Sequence, residues 1–255
     1  MSNVNTSSES LECCRRGEIH SGNSVGKTTS IAGIDAYFTA APSGSPSGAL
    51  LYITDAMGWE IPNARLLADT YAAEANIDVY MPNFLAEMSL TPSVLKAGKV
   101  DMQTWAKKSI ERRPQHHDEI HNVLKELKFK YPKIAASGYC WGGFYSIRLA
   151  THEDVIDCAI ASHPSLVEVP KDIEDVKKPI LFVCAEEDSQ FGDEKREKTK
   201  EVLTQKGVGA EFQYYPGTTH GWTVRGETTG PVAGAAKKAK DDTVNFIRKH
   251  FGVTN

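Results

Sequence analysis

Hydrophobic positions recur along this chain with two periods. Ile34 to Thr39 alternates apolar and polar residues, the period of a strand with one buried face. Ala49 to Thr54, Ile77 to Met81, Ile134 to Ala136, Val155 to Ala161, Pro179 to Cys184 and Ala210 to Tyr215 are short, mostly apolar runs, as expected of strands inside a parallel sheet. Between them the period lengthens. Pro62 opens a helix whose face is marked by Leu66, Leu67, Thr70, Tyr71 and Ala73, running through Asn76. Gln115 to Lys130 places Ile120, Val123, Leu124 and Leu127 on one side, with His117 and His121 read as part of a solvated face. Asp193 to Lys206 is charge-laced and amphipathic, and Pro231 to Phe251 closes the chain as a helix. Strands alternating with helices over short connections predict an α/β fold, a mostly parallel central sheet covered on both faces. Residues 1–30 read as a flexible or irregular lead-in, 31–255 as one domain, and the less regular stretch 83–114 as a lid-like insertion.

Composition narrows the function. At 255 residues the chain has ample length for one core. A net charge of −4 gives no support to a nucleic-acid partner. No apolar run approaches a membrane span, and the polar first ten residues show no secretory h-region, so a soluble cytoplasmic protein is expected. The five cysteines are odd in number and scattered, which argues against a disulfide framework and for a reducing compartment. Cys13 and Cys14 lack a second pair at metal-ligand spacing, and no metal or cofactor is expected. Gly22 to Thr28 is one residue short of a phosphate loop and follows no apolar strand.

The chemistry concentrates at Gly138-Tyr-Cys-Trp-Gly142, a G-x-C-x-G turn between a predicted strand and a predicted helix. Such a turn lifts the Cys140 thiol above the strand ends, and the following helix N-terminus favours the thiolate. A thiol nucleophile needs a base, and the base needs an orienting acid. Asp188, after the Pro179–Cys184 strand, is the chosen acid, with Glu186 and Glu187 as alternatives; His220, after the last strand, is the chosen base. The oxyanion hole falls to the Trp141 N–H and to a second N–H after the Ala49–Thr54 strand, for which Ala56 is the candidate. Asp55 would then hang close to Cys140. His163 is a pocket candidate beside its plainer reading as a structural partner of the Pro164 turn. Trp59, Phe84, Trp105 and Trp222 are possible walls of a pocket for apolar or aromatic substrates.

These residues resemble the dienelactone hydrolases (carboxymethylenebutenolidases), an α/β-hydrolase family. The resemblance spans about Tyr37 to Phe251 and is carried by the stretch Gly138–Gly143, by Ala185–Asp188 and by His220–Arg225. It implies a triad of Cys140, Asp188 and His220 acting on a small ester or lactone. It further implies that Asp55 stands where the family has a glutamate governing thiol ionisation, with a resting thiol that becomes thiolate when substrate arrives. Arg225 matches an arginine that binds the substrate carboxylate. A second arginine, expected just after Pro82, has no counterpart in Asn83 to Glu87. The expected protein is a monomeric or homodimeric hydrolase working through an acyl-enzyme on a dienelactone-like or polyketide-like substrate. Rival readings are a thioesterase using the same site, a non-catalytic binding module of the same fold, and a redox-sensing thiol protein, for which the local motif shows no resolving cysteine.

Overall fold

The computed structural model describes residues 11–98 and 100–253. Eight strands, β1 (Lys27–Ile31), β2 (Ile34–Thr39), β3 (Ala49–Ile53), β4 (Asp78–Pro82), β5 (Ile134–Tyr139), β6 (Cys158–Ser162), β7 (Ile180–Glu187) and β8 (Ala210–Thr219), form one sheet. Their order is β1-β2-β4-β3-β5-β6-β7-β8. β2 pairs antiparallel with both β1 and β4. From β4 to β8 every pairing is parallel, so six strands share one carboxyl edge. In such sheets ligands bind beyond that edge.

The strand period explains the layers. Leu51 and Ile53 of β3, Ile134 and Ala136 of β5, and Ile180 and Phe182 of β7 face one core cluster. Leu50 and Tyr52, Ala135 and Tyr139, and Leu181 and Val183 face the other. The second face is covered by α1 (Pro62–Ala75) and α8 (Gly230–Phe251). Proline starts each of these helices, and Asn76 and Gly252 end them in the left-handed conformation. The first face is covered by segments after β4, β5 and β7: α3 (Met102–Glu111), α4 (Arg113–Lys130), α5 (Trp141–Leu149) and α6 (Asp193–Gln205).

Two stretches are more ordered than the sequence reading expects. Within the 83–114 insertion, α2 (Pro92–Lys96) and α3 form; Asp101 caps α3 by accepting the Gln103 and Thr104 N–H groups. In the lead-in, β1 joins the sheet edge through a hairpin whose Ala32 and Gly33 both have positive φ, the conformation such tight turns use. β1 escapes a periodicity reading because it is mostly polar and exposed. Ahead of it, a short 3-10 helix at Glu12–Arg15 begins a strap with Leu11 and Cys14 fully buried. The first ten residues of the lead-in read as flexible lie outside the described residues. His117 of α4 packs on the Phe144 and Tyr145 rings, so it does not belong to a solvated face.

Candidate active site

Cys140 directly follows β5 and precedes α5, with φ 50° and ψ −110°. That region is disfavoured for any L-residue and persists only where the surroundings enforce it. Here they do. A Cβ on Gly138 would lie 2.0 Å from Gly142 O, and one on Gly142 would lie 2.2 Å from Ile53 O. Only glycines let the turn close this tightly. Cys140 N–H donates to Ser162 O, Gly142 N–H to Thr54 O, and Ser165 N–H to Cys140 O, so three loop regions at the carboxyl edge are tied together at the elbow.

The residues expected as base and acid follow the next strands. Asp188 follows β7, and His220 follows β8. The Asp188 Oδ1 lies 2.9 Å from His220 Nδ1 and also accepts the Gln190 and Phe191 N–H groups. The opposite nitrogen, His220 Nε2, lies 3.2 Å from Ser165 Oγ, which is itself 3.2 Å from Cys140 Sγ. Glu186 instead pairs outward with Tyr214 and the Gly217 N–H, and both Glu186 and Glu187 are exposed. Of the three candidate acids, Asp188 is the one placed against His220 Nδ1.

Electrostatics set the protons. Burial pushes the Cys140 thiol up, but the Cys14 hydrogen bond and the charges of His220 and Arg225 outweigh it and hold the thiol well below its ordinary value. Burial pushes His220 down, yet Asp188 and Cys140 outweigh that and hold it well above. Both shifts run in the direction of a thiolate beside an imidazolium.

Comparison with known proteins agrees with this geometry. A family profile described as the dienelactone hydrolase family matches residues 34–251. The chain belongs to the dienelactone hydrolase family. A hydrolase named tropI from Talaromyces stipitatus is 31% identical over 252 residues, covering 95% of this chain and 97% of the relative. Dienlactone hydrolase 1 of Gibberella moniliformis is 27% identical over 237 residues, covering 89% and 88%. The crystal structure of a putative dienelactone hydrolase from Klebsiella pneumoniae shares the fold, with a TM-score of 0.73 at 18% identity, covering 89% of this chain and 100% of that one. As a member of this family the protein is an ester or lactone hydrolase, which displaces the binding-module reading. Among the described residues no helix is long and apolar enough to cross a membrane.

The other expected site residues fall in different places. Asp55 is buried close to Cys140, but its Oδ2 is ion-paired with Arg225 Nε at 2.7 Å and its Oδ1 accepts the Met57 N–H. Burial raises the Asp55 carboxyl, and the Arg225 charge opposes that rise. Arg225, at the end of α7 (Trp222–Arg225), is equally buried, and its Nη1 donates to the carbonyls of Cys14 and Arg16. Its guanidinium therefore joins the strap to Asp55, at the residue for which the resemblance implies a contact with the substrate carboxylate.

Trp222 and Arg225 line a cleft of about 440 Å³ together with His220, Arg16 and Gly17. Phe84 and Trp105 belong to the same core cluster as Cys140, and Trp105 Nε1–H donates to Met88 O. Trp59 packs in the other cluster beneath the Arg65 guanidinium. His163 is fully buried, with its ring against His220 and its Nε2 2.6 Å from Thr223 Oγ1, so it backs the base. Trp141, as the first residue of α5, has an N–H with no intrahelical partner, and Ala56 lies in the loop after β3, to which the elbow is tied.

Two neighbours of Cys140 are missing from the sequence reading. Ser165 stands between thiol and imidazole; its signal is a position just past β6 at the shared carboxyl edge. Cys14 Sγ sits 3.5 Å from Cys140 Sγ, brought there from 126 residues away by the strap. No local motif announces such a contact.

Proposed function

We propose that this dienelactone hydrolase cleaves esters or lactones through a thioester on Cys140, with His220 as base and acid and Asp188 as its orienter. The observation that carries this reading is the unbroken run of contacts from Cys140 Sγ through Ser165 Oγ to His220 Nε2, and from His220 Nδ1 to Asp188 Oδ1.

In the first step the Cys140 thiolate attacks the carbonyl carbon and the π electrons move to the oxygen. The N–H groups of Trp141 and Ala56 stabilise that charge. Collapse breaks the C–O bond, and His220 gives its proton to the departing alkoxide. In a lactone the alcohol stays tethered to the acyl group, so one hydroxy-acid leaves. In the second step neutral His220 takes a proton from water, hydroxide adds to the thioester, and the Cys140 thiolate departs. Asp188 holds Nδ1–H throughout, which keeps Nε2 aimed at the reacting atoms. Ser165 bridges thiolate and imidazolium at rest and swings aside when substrate occupies the space.

The aromatic side chain of Trp222 beside His220 favours acyl groups with apolar or ring character, consistent with a dienelactone-like or polyketide-like substrate. Steady-state turnover of chromogenic esters, a dienelactone and acyl thioesters by wild type, Cys140→Ala and His220→Ala tests the reading. Each variant is expected to lose on the order of 10³-fold or more in kcat. Full activity in Cys140→Ala would sink it, and a preference for thioesters over oxygen esters would redirect it to a thioesterase.

A further inference from the structure

The strap places two sulfur atoms against the catalytic pair. Cys14 Sγ lies 3.5 Å from Cys140 Sγ, 4.0 Å from Cys13 Sγ and 4.0 Å from His220 Nε2. The ligating atoms of Cys13, Cys14 and His220 all lie within 4.8 Å of one another. We propose that Cys13, Cys14, Cys140 and His220 form a binding site for a soft divalent cation of the zinc class, which holds the hydrolase in a closed, inactive form.

The spacing suits the ion. Tetrahedral zinc with metal–sulfur bonds of about 2.3 Å and a metal–nitrogen bond of about 2.0 Å separates its sulfurs by roughly 3.8 Å and sulfur from nitrogen by roughly 3.5 Å. The Cys14 separations lie within about half an ångström of these, Cys13 Sγ and His220 Nε2 lie within 4.8 Å of each other, and Cys140 Sγ, outside that group, reaches the fourth position by a side-chain shift toward the ion. Three sulfurs and one imidazole are the donor set of a closed structural zinc site, with no position left for water. The imidazole is also prepared as a ligand. Asp188 accepts from Nδ1, which fixes the ring and leaves Nε2 to the metal, the carboxylate–histidine–metal arrangement of known sites. Cys140 and His220 are buried, so the strap already screens the place from water. Binding takes up three thiolates and a neutral imidazole, and the thiol and imidazolium protons pass to solvent. While the ion is bound, neither the nucleophile nor the base is available to a substrate.

The test uses the full chain, reduced with a phosphine and freed of metal. Cd²⁺ titration is followed by thiolate-to-metal charge-transfer absorption, and Co²⁺ titration by its visible bands. One ion per chain is expected, with tetrahedral Co²⁺ spectra, and equimolar Zn²⁺ should suppress ester hydrolysis until a chelator restores it. Cys13→Ser, at a residue the proposed reaction does not use, should keep metal-free turnover and its melting curve while binding Cd²⁺ roughly 10- to 100-fold more weakly. Cys13→Ser/Cys14→Ser, checked for folding by circular dichroism, should bind more weakly still. No charge-transfer band in the wild type, or equal Cd²⁺ affinity in wild type and Cys13→Ser, would overturn the site. Because the readout is absorption by the metal complex, that result is independent of whether Cys140 is the nucleophile.

Discussion

At Cys140 a single backbone conformation carries the chemistry, and the residues around it leave little freedom. Gly142 sits against backbone, not against a side chain that could turn away, because its would-be Cβ meets Ile53 O at 2.2 Å. Gly142→Ala is therefore expected to cost about 3 kcal/mol, at the upper end of overpacking effects, and to reduce activity as the elbow shifts. Urea denaturation and turnover measured on the same preparation check both effects. Beneath the elbow, the Asp55–Arg225 pair is the other unforgiving residue-scale feature, since both side chains are 1% exposed. Arg225→Met leaves the Asp55 carboxylate buried without its partner and should destabilise by about 3–5 kcal/mol. Adding Asp55→Asn should recover much of that loss, whereas additive losses in the double variant would show that the pairing is not the source.

Among the elements, the strap from Leu11 to Gly17 lies against the thiol. Cys140 is fully buried, Arg225 ties the strap down, and Glu18 N–H donates to Arg225 O. Removing residues 1–17 should raise the alkylation rate of Cys140 by at least roughly tenfold, as read by mass spectrometry of iodoacetamide-treated chain, because burial alone limits that reaction. An unchanged rate would mean the thiol is reached by another route. The strap is also where sequence reasoning reached its limit. The elbow, Asp188 and His220 were legible because strand, turn and helix follow one another within a few residues, and each side chain immediately follows a strand. The parallel sheet was legible from apolar runs buried on both faces. β1 was not, being polar and exposed, and α3 was not, because its Asp101 cap was hidden in an irregular-looking insertion. Cys14 and Ser165 were missed because their meeting with Cys140 depends on tertiary closure, which no local pattern encodes. The ion pair of Arg225 with Asp55 could not be read from spacing either.

Over the whole molecule, stability and activity respond to pH through different groups. His116 is buried against Tyr145 and Trp141, and burial lowers its pKa to about 4; His117 is likewise lowered to about 4, also chiefly by burial. Both values lie below the roughly 6.5 of an unfolded histidine. The unfolded chain thus binds more protons in this window, so the histidines make stability fall as pH drops from about 6.5 towards 4, and contribute no such slope above it. His116→Gln should flatten the dependence of unfolding free energy on pH between 6.5 and 5; an unaltered slope would exclude His116 as a source. In the proposed mechanism catalysis rests instead on Cys140 and His220 at the carboxyl edge, with the acyl group carried on sulfur. The most direct measurement is intact-mass and peptide-mapping analysis of the His220→Ala enzyme quenched during turnover of an activated ester, since losing the base slows hydrolysis of the thioester and lets it accumulate. An acyl adduct on Cys140, absent in Cys140→Ala, is the predicted result. An adduct on Ser165, or turnover with no adduct and undiminished by loss of Cys140, would contradict it.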